Sequence, residues 1–185
     1  MPKYFTGKGD DGYTGLLGGE RVAKEHPQPE AYGAVDEASA ALGLARALAV
    51  DEDSQRIAAH VQRDLYALMS ELAATPENAA RFRLIDEQRV RWLESQVERV
   101  GERISLPNEF VIGGDSQAGG AFDLARTIVR RAERRVAGLI HGGTLDNAEC
   151  LRYLNRLSSL CFVLSLWENL RAGIDNPTLA RDPEE

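Results

Sequence analysis

The sequence predicts an all-α fold: a bundle of five amphipathic helices behind a glycine-rich N-terminal loop. Three observations carry this reading. The seven prolines, Pro2, Pro27, Pro29, Pro76, Pro107, Pro177 and Pro183, leave long proline-free stretches at 30–75, 77–106 and 108–176. A helix interior excludes proline, which lacks the N–H and meets the preceding turn with its ring. Apolar residues in those stretches recur at spacings of three and four, which keeps them on one helix face. No segment of useful length alternates with period two, so no half-buried strand is predicted.

The elements follow in order. Val35, Ala38, Leu42, Ala45 and Ala49 stripe a first helix over about 30–50, and Ile57, Val61, Leu65, Leu68 and Leu72 a second over 52–75. Val90, Leu93, Val97 and Val100 mark a third over 84–102. The fourth, 117–141, carries Phe122, Ala125, Ile128, Ala132, Val136 and Leu139; Asp115-Ser116 offers its N-cap and Gly142-Gly143 its stop. The fifth, 147–172, carries Leu154, Leu157, Cys161, Leu164 and Glu168, and Asp146 with Glu149 resembles a capping box. Residues 1–185 are read as one domain: loop 1–28, bundle 30–172, tail 173–185.

Composition narrows the function. A chain of 185 residues, 43% hydrophobic and 28% charged, can bury a core without a disulfide or a structural metal. Its 22 Lys+Arg against 29 Asp+Glu give a net charge of -7, which argues against nucleic acid or an anionic membrane as partner. The first residues lack the apolar core of a secretory signal, and no window approaches the ~18 uninterrupted apolar residues of a membrane span. Cys150 and Cys161 share a helix face about 16 Å apart, too far for a disulfide. They are read as buried thiols of a reducing, cytoplasmic compartment.

Glycine is unevenly placed: Gly7, Gly9, Gly12, Gly15, Gly18 and Gly19 are six of the 17 in the chain. Two readings stand side by side, a frayed terminus or an ordered loop that brings backbone amides close to a ligand. Gly7-Lys8-Gly9-Asp10-Asp11-Gly12 matches G-x-G-x-x-G, yet no strand precedes it and no helix follows, so it is not a dinucleotide-fold signature. A nest of backbone N–H groups helped by Lys8 and Lys24 suits phosphates. Asp10 and Asp11 oppose an anion unless a cation accompanies it, which favours Mg²⁺.

A second feature lies in the fourth helix. Arg126, Arg130, Arg131, Arg134 and Arg135 place five of the 22 basic residues within ten positions. Helical spacing puts Arg126, Arg130 and Glu133 on one face. Such a run serves either as a solvated face or as an anion site gripped by arginine forks. Arg152, Asn155 and Arg156 share a face of the fifth helix, and Asp36 is a candidate buried partner for one of these arginines. His26, His60 and His141 are scattered, with no Glu-x-x-His pair for a di-iron site and no nucleophile elbow. If the chain is an enzyme, its task is to position a reactive partner against a phosphorylated substrate.

Taken in order, the blocks are Thr6-Gly7-Lys8-Gly9-Asp10-Asp11-Gly12-Tyr13-Thr14-Gly15-Leu16, Arg21-Val22-Ala23-Lys24, Glu30-Ala31-Tyr32-Gly33-Ala34-Val35-Asp36-Glu37, Gln62-Arg63-Asp64-Leu65, Phe110-Val111-Ile112-Gly113-Gly114, the 125–134 arginine run and Tyr153-Leu154-Asn155-Arg156-Leu157-Ser158. Together they resemble the PduO-type ATP:cob(I)alamin adenosyltransferases. The resemblance implies a five-helix up-and-down bundle, ferritin-like in shape, that assembles as a homotrimer with active sites between subunits. It implies transfer of the 5′-deoxyadenosyl group of ATP to cob(I)alamin with release of triphosphate, and a cobalamin reductase or reduced flavoprotein as electron donor. Thr6, Gly7, Lys8, Gly9, Thr14, Gly15 and Lys24 would wrap the triphosphate. Arg130, Arg131, Glu133, Arg134 and Asn155 would complete the ATP site. Asp36 would pair with Arg126 across the interface, and Phe110 would press on the corrin face. Three positions depart from the family pattern: the order of residues in Thr6–Gly9, Gly113 with Asp115 where Pro and Gly are usual, and Ser159 in place of Asp. These departures motivate an alternative, a non-catalytic ATP- and corrinoid-binding carrier or regulatory module.

Overall fold

The computed structural model describes residues 4–181. Its long helices are α1 (Pro27–Leu48), α2 (Glu52–Leu72), α4 (Glu87–Gly101), α5 (Gln117–His141) and α6 (Ala148–Arg171). Two features go beyond the predicted five-helix plan. A four-residue helix, α3 (Ala79–Phe82), follows a 3₁₀ turn at Pro76–Asn78, so six helices are present among the described residues. A two-stranded antiparallel hairpin, β1 (Tyr13–Gly15) with β2 (Arg21–Ala23), folds inside the glycine-rich segment. Three-residue strands are too short to announce themselves by alternation.

The helix ends explain the boundaries. α1 starts before the predicted Glu30 because Pro27 lies in its first turn, where the missing N–H costs nothing. The cap of α5 is Ser116, whose Oγ accepts the Gly119 N–H at 2.9 Å, and Gly143 beyond its C-cap takes φ 73°, as a helix-ending glycine does. The capping box expected at Asp146 is absent: Asn147 caps α6 and accepts the Glu149 N–H.

α5 packs between α1 and α6, α2 lies against α1, and α4 against α6. Glu30 meets Arg135 and Glu37 meets Arg131, so α1 and α5 run antiparallel. The predicted stripes form the shared core, with Phe122, Leu42, Leu65, Leu154 and Leu164 buried in it. Burying each such side chain contributes about 1.5–3 kcal/mol. Glu168, on the apolar stripe of α6, is buried and accepts the Val50 N–H at 2.9 Å, fixing the end of α1. Asp64 is held by Tyr153 Oη–H at 2.9 Å and by Arg89. Both cysteines are free and buried; burial pushes the Cys161 thiol up to about 12 and the Cys150 thiol higher still. No described helix is long and apolar enough to cross a membrane.

Candidate active site

The connection from α4 to α5 runs over the face where α5 meets α6 and leaves a cleft of about 590 Å³. Leu106, Phe110, Val111 and Phe162 give it apolar walls, and Arg126 and Arg130 of α5 enter it from one side. These are the positions four apart that share a helix face. Arg126 is held: its Nε donates to Asp123 Oδ1 at 2.8 Å. Arg130 is exposed and has no ion-pair partner among the described residues, so its guanidinium is available to an anion. Beside the cleft Asn155 Nδ2 donates to Glu133 Oε1 at 2.9 Å, and Arg156 bridges Asn155 Oδ1 at 2.7 Å and Glu94 at 2.8 Å. A pocket with apolar walls and a free cation at its edge fits a large flat ligand lying beside a polyanion.

The glycine loop forms a different surface. Gly7 takes φ 70° and Gly12 φ 80°, reversing the chain on each side of Gly9. Lys24 folds back over Gly9: a Cβ placed there would lie 3.1 Å from Lys24 Nζ, and the Lys24 N–H donates to Gly12 O at 2.9 Å. Lys8 is exposed, with its N–H on Thr6 Oγ1 at 3.3 Å. Thr14 and Gly15 lie in β1. Asp11 caps the Tyr13 N–H and pairs with Arg21. The Arg21 guanidinium, and then the Tyr13 amide, hold its carboxyl below the usual range. The loop is anchored at its far end, where Leu17 exchanges backbone hydrogen bonds with Ala73 and Thr75 beyond α2. Within its described residues the segment is therefore an ordered turn-and-hairpin, not a frayed end.

The two surfaces are separate within one chain. No hydrogen bond or ion pair among the described residues joins residues 4–24 to Phe110, Arg126 or Arg130. Arg131, expected at the ATP site, is engaged by Glu37 of α1, and Arg134 is exposed. Asp36 is exposed on α1, not buried, and is not the partner of Arg152 or Arg156. Arg152 uses Glu149, one turn away on α6, and Arg156 reaches across to Glu94 on α4.

A family model described as cobalamin adenosyltransferase matches residues 4–168. The chain belongs to the cobalamin adenosyltransferase family. It is 35% identical over 166 residues to the corrinoid adenosyltransferase PduO of Salmonella typhimurium, covering 89% of this chain and 49% of that protein. It is also 35% identical over 176 residues to the corrinoid adenosyltransferase of Bacillus subtilis, covering 93% of this chain and 89% of that one. The chain thus spans about half the length of PduO relatives such as the Salmonella protein. Among solved structures, a variant PduO-type ATP:corrinoid adenosyltransferase from Lactobacillus reuteri, complexed with cobalamin and ATP, superposes with a TM-score of 0.87. It is 29% identical and covers 97% of each chain.

In this adenosyltransferase-family chain, sequence reasoning missed Asp123, whose signal was its place three residues before Arg126 on one helix face. It also missed what Asp115 does, because its partner Thr178 lies 63 residues away. Asp10 and Asp11 raised Mg²⁺ as a companion of the phosphates; the described residues contain no cluster of three or more His, Cys, Asp or Glu side chains that could hold a metal on their own. Asp11 already has Arg21 as its counter-ion.

Proposed function

We propose that the chain transfers the 5′-deoxyadenosyl group of ATP to the cobalt of cob(I)alamin, giving adenosylcobalamin and triphosphate, at sites shared between copies in a homotrimer. The observation that carries the reading is the cleft itself, where Phe110, Arg126 and Arg130, unpaired among the described residues, meet. Ser158 and Ser159 also line it, but Ser158 Oγ–H donates to the Asn155 carbonyl and no base among the described residues activates either as a protein nucleophile. None is needed, because the cobalt of the corrinoid substrate is the nucleophile: its electron pair forms the Co–C bond while the C5′–O bond breaks and its electron pair leaves on the triphosphate oxygen. The protein's share is alignment of the two substrates and stabilisation of the departing charge.

In this reading Arg130 faces the leaving triphosphate. Thr6, Gly7, Lys8, Gly9, Thr14, Gly15 and Lys24 wrap it from a neighbouring copy, since no hydrogen bond or ion pair among the described residues joins the loop to the cleft within one chain. Arg131, Glu133, Arg134 and Asn155 border the nucleotide, and Asp36 of one copy meets Arg126 of the next. Phe110 lies against the corrin and disfavours the lower axial base, which makes the cobalt easier to reduce. Mg²⁺ enters only as the ion that accompanies ATP. A cobalamin reductase or reduced flavoprotein supplies the electron, and the free buried thiols suit the reducing cytoplasm.

The test is anaerobic incubation of the protein with ATP, Mg²⁺ and chemically reduced cobalamin. The absorbance change of adenosylcobalamin is expected. Binding of both ligands without a Co–C bond would assign a carrier instead, and binding of neither would end the proposal.

A further inference from the structure

Phe110 poses a physical problem that its surroundings solve. The side chain is 88% exposed, so no packing of its own holds the ring in place. Its position is therefore set by its backbone. That backbone is not left to a free loop: Phe110 O accepts the Ala180 N–H at 2.7 Å, and the Ile112 N–H donates to Thr178 O at 2.8 Å. Val111 and Leu179 form an antiparallel bridge between these bonds.

The segment that supplies the partners is itself tied down. Beyond α6 the chain turns at Gly173, φ 84°, where the Ile174 N–H returns to Asn169 O at 2.9 Å. Asn169 Oδ1 accepts Ser116 Oγ–H at 2.7 Å, joining the end of α6 to the cap of α5. Asp115 closes the far side: its two carboxylate oxygens accept the Thr178 Oγ1–H at 2.6 Å and the Thr178 N–H at 3.1 Å. The Phe110 side of the loop is seated too. A Cβ on Gly113 would fall 2.5 Å from Asp123 Oδ2, so the loop lies directly on the carboxylate that holds Arg126.

We propose that residues 174–180 are a strap that positions Phe110 for the corrinoid, with Asp115 and Thr178 as its clasp. This rests on the reading of Phe110 given above. It also assigns work to Asp115, which the resemblance alone left without a role. Neither clasp residue touches a substrate; both act through the backbone of Phe110. Their loss is felt by the corrinoid and not by ATP.

The experiment compares Thr178→Val, Asp115→Gly and Thr178→Ser in the full chain. Losing the clasp hydrogen bonds should raise the KM for cob(I)alamin about five- to tenfold, the scale of one or two such bonds. The KM for ATP should stay within about twofold, and Thr178→Ser, which keeps the hydroxyl, should restore wild-type values. Hydrogen exchange reads the strap without the reaction: the Ile112 and Ala180 amides should be protected in the wild type and exchange faster in Thr178→Val and Asp115→Gly. Unprotected wild-type amides would overturn the strap whatever the activity. Faster exchange with an unchanged corrinoid KM, or equal losses toward both substrates, would overturn its role in positioning Phe110. Protected amides in a chain that shows no transfer would overturn the reading of the reaction and leave the strap standing.

Discussion

The glycine loop and the arginine cleft are built in opposite ways. The loop owes its shape to backbone: positive φ at Gly7 and Gly12, a short hairpin and an anchor on the end of α2. The cleft owes its chemistry to side chains projected from rigid helices, with Arg126 fixed by Asp123 and Arg130 left free. One surface suits a chain of phosphate oxygens, which many N–H groups can meet in turn. The other suits a bulky planar ligand and one concentrated charge. On the proposed reading neither is a complete site, and their separation within the chain makes the catalytic question one of assembly.

Breaking the cleft should cost most. Arg130→Ala is expected to lower turnover about 10²–10³-fold, as loss of a charge-stabilising donor does, with the helical circular dichroism unchanged. Near-normal turnover would remove Arg130 from the chemistry. The loop should fail differently: Lys8→Ala with Lys24→Ala is expected to raise the KM for ATP about tenfold or more, two charge-assisted contacts being lost. The corrinoid KM should hold. A smaller effect sharpens the link between Phe110 and Arg126. Gly113→Ala places a methyl against the Asp123 carboxylate, which must shift to make room, and should destabilise the chain by about 1 kcal/mol or less, seen as a slightly lower Tm.

The smallest effect is electrostatic and lies in the loop. Arg21 and the Tyr13 amide lower the Asp11 pKa below its ordinary 3.8. A depressed carboxylate stabilises the folded form above the unfolded pKa, and that contribution is lost as pH falls through the lower folded value. Asp11→Asn should therefore loosen the hairpin at neutral pH and match the wild type in strong acid, which amide exchange across β1 and β2 would read.

What the sequence disclosed follows the range of the interactions involved. Stripes such as Ile57, Val61, Leu65 and Leu68 give away helices because their spacing is local, and α5 runs over Gln117–His141, the predicted 117–141. The hairpin escaped because three residues hold no readable alternation. Asn147 took the cap expected of Asp146 because its Nδ2 also satisfies buried Glu71 and the Ile85 carbonyl, partners far off in sequence. The cleft was half legible. Arg126 and Arg130 share a face by arithmetic, but nothing local says that Phe110 would come to lie beside them. The Asp115–Thr178 clasp is non-local altogether.

The central claim, that one copy's loop completes another copy's cleft, is tested most directly by complementation. Arg130→Ala and the Lys8→Ala, Lys24→Ala double variant would be unfolded together, refolded as mixed oligomers and assayed for adenosylcobalamin formation with ATP well below the wild-type KM, where each parent keeps about a tenth of wild-type activity or less. With equal amounts of the two chains, about a quarter of neighbouring pairs in a closed ring combine an intact loop with an intact cleft. Activity should then return to about that fraction of wild type. Mixed oligomers that form and stay as inactive as either parent would contradict the shared site.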